Sequence, residues 1–392
     1  MKTADTAAGA EVRGGPNWPL LALAMGAFGI GTTEFSPMGL LPVIAEGVNV
    51  SIPSAGLLVS AYAAGVMLGA PVMTLLFSRF GKRTALMTLM GIFTIGNIMS
   101  ALAPDYWTLL IARLVTSLNH GAFFGLGAVV AASVVPRDRR ASAVATMFMG
   151  LTIANIGGVP AATWLGHQIG WRAAFAGTAV LGLVAIAALW FALPQGEPGR
   201  RPEVRRELRV LIRPQVLIAL LTTVMGSAAM FTLYTYIAPT LETLTGASQG
   251  FVTLVLVLTG IGFTIGNGLG GRLADWSLNG ATAIFMGALA VIMLAIPFLI
   301  GSQMGAAITL TIWGAAAFAL VPPVQMRVMQ AAHEAPGLAS SINIGAFNFG
   351  NAIGAAVGGA VIGLNLGYAA VPVAGGVLAL AGLGLVWLGR RG

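Results

Sequence analysis

The chain predicts an all-α membrane protein, with twelve transmembrane helices in two pseudo-symmetric six-helix halves. Three observations predict it. The 392 residues are 57% hydrophobic and only 8% charged, whereas soluble domains carry roughly 25% charged residues. Apolar stretches of about 20 residues, enough helix to cross ~30 Å of hydrocarbon, alternate with short polar loops. The sequence also repeats weakly at half its length: LGAPVMTLLFSRFGKRTAL (68–86) aligns with IGNGLGGRLADWSLNGATA (265–283), and RRASAVATMFMG (139–150) with PGLASSINIGAFNFG (336–350). Parallel halves related by an axis along the membrane normal, with a site between them, are the simplest reading.

Hydropathy with Gly, Pro and charge punctuation places the spans near 18–44, 54–77, 84–103, 106–134, 142–166 and 171–193, then 213–240, 248–273, 281–300, 303–330, 338–364 and 367–389. Residues 1–17 read as a cytoplasmic tail, 18–193 as the N-terminal half, and 194–212 as a cytoplasmic linker. The C-terminal half is then 213–389, and 390–392 a cytoplasmic end. The tail lacks the compact apolar core and cleavage site of a signal peptide. The Arg-rich part of the linker suits a short helix on the membrane surface.

Basic residues set the orientation. Arg79, Lys82, Arg83, Arg137, Arg139, Arg140, the linker arginines and both ends fall on one side; Arg113 and Arg172 are the exceptions among the 20 Lys and Arg. Positive loops stay cytoplasmic, so both termini are expected inside a bacterial-type inner membrane. The formal +8 charge is thus topological, and no nucleic-acid partner is expected. With no Cys, disulfides and thiolate metal sites are excluded.

Eleven of the 12 acidic residues fall in tails, loops or span ends, and Glu34 alone lies deep in a span. It sits ~16 Å below the outer end of span one, and Arg113 ~10 Å below the outer start of span four. At similar depths, each is the best available partner of the other. Apolar burial favours a protonated carboxyl, and a nearby Arg an ionised one. Glu34 therefore reads either as a proton carrier or as half of a static ion pair locking two spans. Pro37, one turn later, can kink span one and free backbone carbonyls.

Other candidates follow helical spacing. Arg113, Ser117, His120 and Phe124 share a face of span four; His120 is either a relay or a hydrogen-bonded packing residue. Thr33 and Met38 flank Glu34 as cavity candidates. Asn155 on span five, Met230 and Tyr234 on span seven, and Asn343, Phe347 and Asn351 on span eleven suit a tolerant apolar cavity or helix packing. No Walker-type GxxxxGK[ST], metal-ligand set or nucleophile–base constellation stands out, so neither a cofactor nor an enzyme is expected.

LALAMGAFGIGTTEFSPMGLLPVIA, RLVTSLNHGAFFGLGAVVAASVVP, MFMGLTIANIGGVPAATWLG, LLTTVMGSAAMFTLYTYIAP and SSINIGAFNFGNAIGAAVGG together resemble the major facilitator superfamily. More narrowly, they resemble its drug:proton antiporter family with twelve spans, which holds arabinose, purine-ribonucleoside and drug exporters. The resemblance covers 18–389. It implies proton-coupled efflux of a small organic molecule by alternating access, with protons, a small-molecule substrate and the bilayer as partners and a monomer as the working unit. A proton-independent facilitator or importer, or a membrane sensor, are the other readings. The resemblance also implies conformational motifs at Gly69, Arg79, Gly81, Lys82 and Arg83, at Gly157, Gly158 and Pro160, and at Gly271, Arg272 and Asp275. One departure matters: SRFGKR carries Ser78 where the family places Asp, whereas GGRLADW keeps Asp275. The second-half turn is therefore expected to dominate the cytoplasmic latch.

Overall fold

Hydrocarbon offers no partner for backbone N–H and C=O groups, so isolated spans must be helices. The computed structural model describes residues 17–50, 52–195 and 209–389, and its regular structure is helical throughout. In chain order the first half comprises α1 (Trp18–Gly47), α2 (Ile52–Phe77), α3 (Lys82–Leu102), α4 (Tyr106–Ser133), α5 (Arg140–Ile153), α6 (Val159–Gln168) and α7 (Trp171–Ala192). The second comprises α8 (Pro214–Tyr234), α9 (Ile237–Thr245), α10 (Gln249–Trp276), α11 (Leu278–Leu299), α12 (Gln303–Phe318), α13 (Val321–Ala331), α14 (Pro336–Gly363) and α15 (Ala370–Leu388). The tail and linker fall mostly outside the described residues, at 1–16 and 196–208, as do 390–392 and the expected surface helix.

Among the described residues, eleven helices are long and apolar enough to span, with α5–α6 and α12–α13 each counting as one. The twelfth expected span, α1, is 30 residues long but is diluted by Glu34, Thr32, Thr33, Ser36, Pro37 and Pro42. Six of the eight Trp are exposed, mostly near helix ends: Trp18, Trp107, Trp164, Trp190, Trp276 and Trp387. That distribution matches an interfacial aromatic belt.

The halves repeat in their packing. α1 contacts α5 and α7 as α8 contacts α14 and α15; α2 contacts α4 as α10 contacts α12; α3 contacts α7 as α11 contacts α15. Lipid is as apolar as Leu, so close approach rather than hydrophobicity joins these pairs. Glycine permits it: a Cβ on Gly150 would strike the Ala24 carbonyl, and one on Gly350 the Val224 carbonyl. Span five is interrupted by a π-helical segment, Ala154–Gly158, with Pro160 in the first turn of α6 behind it. Gly158 packs on Thr32 and Phe28 of α1, whereas a Cβ on Gly157 would meet open space.

Contacts between halves run α5–α10, α2–α14, α4–α14 and α5–α13. Two of these seams differ in chemistry. The N-cap residue of α5, Arg139, makes no side-chain cap. Asp275 of α10 supplies one from the other half, accepting from Ala141 N at 2.7 Å and Ser142 N at 3.0 Å. A carboxylate at a helix N-terminus satisfies orphan donors and complements the dipole. Beside it, Asn267 donates to the Ala145 carbonyl at 2.6 Å, and Gly271 lies against Ser142 and Ala145. At the repeat-related seam Ser78 donates to Leu75 of its own helix at 2.7 Å. There the halves are joined by the Thr74 hydroxyl donating to Ser341 Oγ at 2.5 Å. Arg79 and Arg83 stack on Phe80 and Trp190, Gly81 is the N-cap of α3, Lys82 and Arg272 are exposed, and Gly69 faces Leu118.

Weakening the Asp275 cap by Asp275→Asn is expected to shift the α5–α10 seam about tenfold toward open, the scale of a hydrogen bond to a charged group. Spin-label distances between cysteines introduced at Asp138 and Trp276 read this without background thiols. Ser78→Ala is expected to leave the distribution unchanged; an unchanged distribution in Asp275→Asn would remove the latch.

Candidate functional site

Between the halves lies a cavity lined from the first half by Glu34 and Phe35 of α1, His120 and Phe124 of α4, and Phe148, Leu151 and Asn155 of the fifth span. From the second half come Thr222, Thr223, Gly226, Ser227, Met230, Phe231 and Tyr234 of α8, Phe263 of α10, and Ala317, Phe318, Leu320, Val321 and Val324 near the α12–α13 junction. Ile344, Phe347, Asn348 and Asn351 of α14 complete the wall. Glu34 is the one acidic or basic side chain on this wall besides His120. The cavity holds about 90 Å³, below the roughly 300–1,000 Å³ typical of ligand pockets.

The carboxylate accepts no hydrogen bond among the described residues, and its side chain is 14% exposed. Its nearest cationic candidate is His120 Nδ1, 4.0 Å from Oε2. That same nitrogen lies 3.1 Å from the hydroxyl of Tyr62 on α2. The expected Glu34–Arg113 pair does not form. Arg113 is buried and donates through Nη1 to the Thr33 carbonyl at 3.0 Å, with its guanidinium 4.2 Å from the centre of the Tyr62 ring. The cause is Pro37, which has no N–H to give the carbonyl four residues earlier, and that carbonyl is Thr33's. Arg113 Nε and Nη2 have no hydrogen-bond partner.

Rotation about the helix decides the remaining candidates. Thr33 lies a residue away from Glu34, about 100° around α1, and its hydroxyl donates to Asn97 Oδ1 at 2.6 Å. Met38 is exposed and does not line the cavity. Ser117 meets Gly65 of α2 and donates to Leu114 O, whereas the His120 and Phe124 rings, tilted with centres 5.1 Å apart, line the cavity. Asn343 donates to Gln325 Oε1 at 2.6 Å and is fully buried off the cavity. Steps of four residues drift about 40° each, so 343 and 351 diverge by about 80° while 344 and 351 nearly superpose. Ile344, Phe347, Asn348 and Asn351 therefore make the lining face, and Ser227 donates to Asn351 Oδ1. Asn155, Met230 and Tyr234 line the cavity. Sequence reasoning missed Tyr62, Ser227 and Asn348. A seven-residue spacing on span eleven would have found Asn348's face, whereas Tyr62, in an apolar run, carried no signal.

The profile of the Major Facilitator Superfamily matches residues 23–343. The Inner membrane transport protein YdhP of Escherichia coli (strain K12) is 67% identical over 375 residues, 96% of each chain. The Chloramphenicol resistance protein of Streptomyces lividans is 32% identical over 353 residues, covering 89% of this chain and 90% of that one. The Probable sugar efflux transporter of Helicobacter pylori (strain G27) is 32% identical over 375 residues, 94% of each. Among solved structures, the proton:xylose symporter XylE aligns with TM-score 0.75 at 16% identity over 95% of both chains. The Escherichia coli fucose:proton symporter FucP aligns with TM-score 0.73 at 14% identity, over 96% of this chain and 99% of that one. At such identities the likeness is one of fold.

Pro37→Ala restores an N–H that competes with Arg113 for the Thr33 carbonyl. A thermal-stability cycle of Pro37→Ala, Arg113→Met and the double variant is expected to give an interaction of about 1 kcal/mol. Additivity within roughly 0.3 kcal/mol would mean that Arg113 is held by something else.

Proposed function

The chain belongs to the major facilitator superfamily, and we propose that it is a proton-coupled efflux carrier. It exchanges a small organic molecule for protons across the bacterial inner membrane, with both termini cytoplasmic. The observation that carries this reading is the Glu34 carboxylate on the cavity wall with no hydrogen bond to it. An intramembrane acid with no fixed partner is costly and is retained for use. Opened outward, the cavity lets Glu34 take a proton; opened inward, it lets the proton leave and substrate enter. Proton and substrate then compete for one chamber, so the downhill movement of one drives the other uphill.

The wall chemistry supports a tolerant site. Its aromatic rings and Met230 adapt to shape, while Asn155, Asn348, Asn351 and Ser227 give polar handles. Relatives named for chloramphenicol resistance and for sugar efflux support export of uncharged, partly polar molecules. Conformational exchange fits the seams: the Asp275 cap holds the basic side of the halves together, and the π-helical turn beside Asn155 gives span five a place to flex.

His120 near Glu34 favours a second reading, in which the two form a fixed pair and transport is proton-independent facilitation. Reconstituted protein in vesicles with an entrapped pH dye separates them. Chloramphenicol and a panel of pentoses and hexoses are the probes. At least one is expected to drive proton movement that Glu34→Gln reduces to background while thermal stability is kept. Substrate flux without proton movement would support facilitation, and wild-type proton movement in Glu34→Gln would remove Glu34 as carrier.

A further inference from the structure

The lone cavity carboxylate is bordered by a cation and an imidazole that both turn to a third residue. Tyr62 is 2% exposed and does not line the cavity. Its ring lies under the Arg113 guanidinium at 4.2 Å, and its hydroxyl is 3.1 Å from His120 Nδ1. The rings of Tyr62 and His120 meet edge to face at 5.9 Å. His120 Nδ1 is thus a fork. It can accept from the Tyr62 hydroxyl, or, carrying a hydrogen, it can turn to Glu34 Oε2, now 4.0 Å away.

We propose that Tyr62 is the positioning residue of the proton site, holding both His120 and Arg113 off Glu34 so that the carboxyl can exchange its proton. This inference rests on the proton-carrier reading of Glu34. When the Tyr62 O–H donates to Nδ1, the imidazole is neutral, its hydrogen is on Nε2, and Nδ1 has none to offer the carboxylate. The ring face meanwhile accepts the guanidinium, a favourable contact for a desolvated cation. Remove the hydroxyl, and Nδ1 is free to take a proton and clamp Glu34 as an ion pair. The charged and titratable groups around this cluster are Arg113 and His120 on α4, Tyr62 on α2, and Tyr234 on α8 across the cavity. The neighbouring α5 and α7 carry charge only at their ends, at Arg140 and Arg172, and α14 carries none.

Two measurements on the full-length protein test this. Nitrogen NMR of isotope-labelled histidine, with His120 assigned by its loss in His120→Gln, is expected to show a bare, hydrogen-bonded Nδ1 in wild type at neutral pH. In Tyr62→Phe it is expected to show a hydrogen-bearing Nδ1. A hydrogen on Nδ1 in wild type, or no change in Tyr62→Phe, would overturn the proposal. In the vesicle assay, with the chloramphenicol and sugar panel, Tyr62→Phe is expected to slow proton movement about tenfold, the scale of a hydrogen bond to a charged group. Its thermal stability is expected to stay near wild type, because the ring remains under Arg113. Adding His120→Gln removes the clamp, so proton movement in the double variant is expected to match that of His120→Gln alone; a further tenfold loss in the double variant would place the role of Tyr62 elsewhere. If Glu34→Gln still moved protons, the carrier reading itself would fail, an outcome distinct from either result for Tyr62.

Discussion

Proline 37 governs the chemistry of the central cavity. By withholding one N–H it leaves the Thr33 carbonyl open, and Arg113 takes it. A buried guanidinium with that carbonyl and the Tyr62 ring as partners has less need of a carboxylate. Glu34, one residue along the same helix, is left facing the cavity without a hydrogen bond. A full Glu34–Arg113 pair would be harder to break, because removing one partner strands a buried charge. Arg113 instead holds the Thr33 carbonyl and leaves Glu34 unlocked.

The helices around this point separate rigid support from moving parts. The Thr33 and Thr178 hydroxyls both donate to Asn97 Oδ1, at 2.6 and 2.8 Å, and tie α1, α3 and α7 together behind Glu34. That network lies wholly within one half, so it travels as a body. On the proposed mechanism, what changes between states is the seam between halves, where small residues and a few polar bonds replace extensive side-chain interlock. A seam made of few strong bonds opens as a unit, which suits two discrete states better than gradual deformation. The Asp275 cap at one seam and the hydroxyl pair at the other make the two sides unequal.

Much of this was legible in the sequence, because depth and order along a span follow from counting residues. The spans, the halves, the isolation of Glu34 and the freed carbonyls near Pro37 came from position alone, whereas the departure at Ser78 came from the family resemblance. Rotation was less legible. Stripes drawn at four-residue steps wander around a helix, which is why Asn343 and Ser117 turned away while Ile344 and Asn348 turned in. Pairing was illegible where a backbone group competed: sequence reading matched Arg113 with the one acid at its depth, and the Thr33 carbonyl outbid it. Tyr62 was invisible because its use depends on two partners from another helix.

Proton-coupled exchange requires that Glu34 gain and lose a proton. Infrared difference spectra of the purified protein, recorded as the medium is switched between acidic and alkaline, test it directly. A protonated-carboxyl band is expected that disappears on the alkaline side and is absent from Glu34→Gln at both extremes. A Glu34 carboxylate that remained ionised throughout, with no such band to lose, would contradict it.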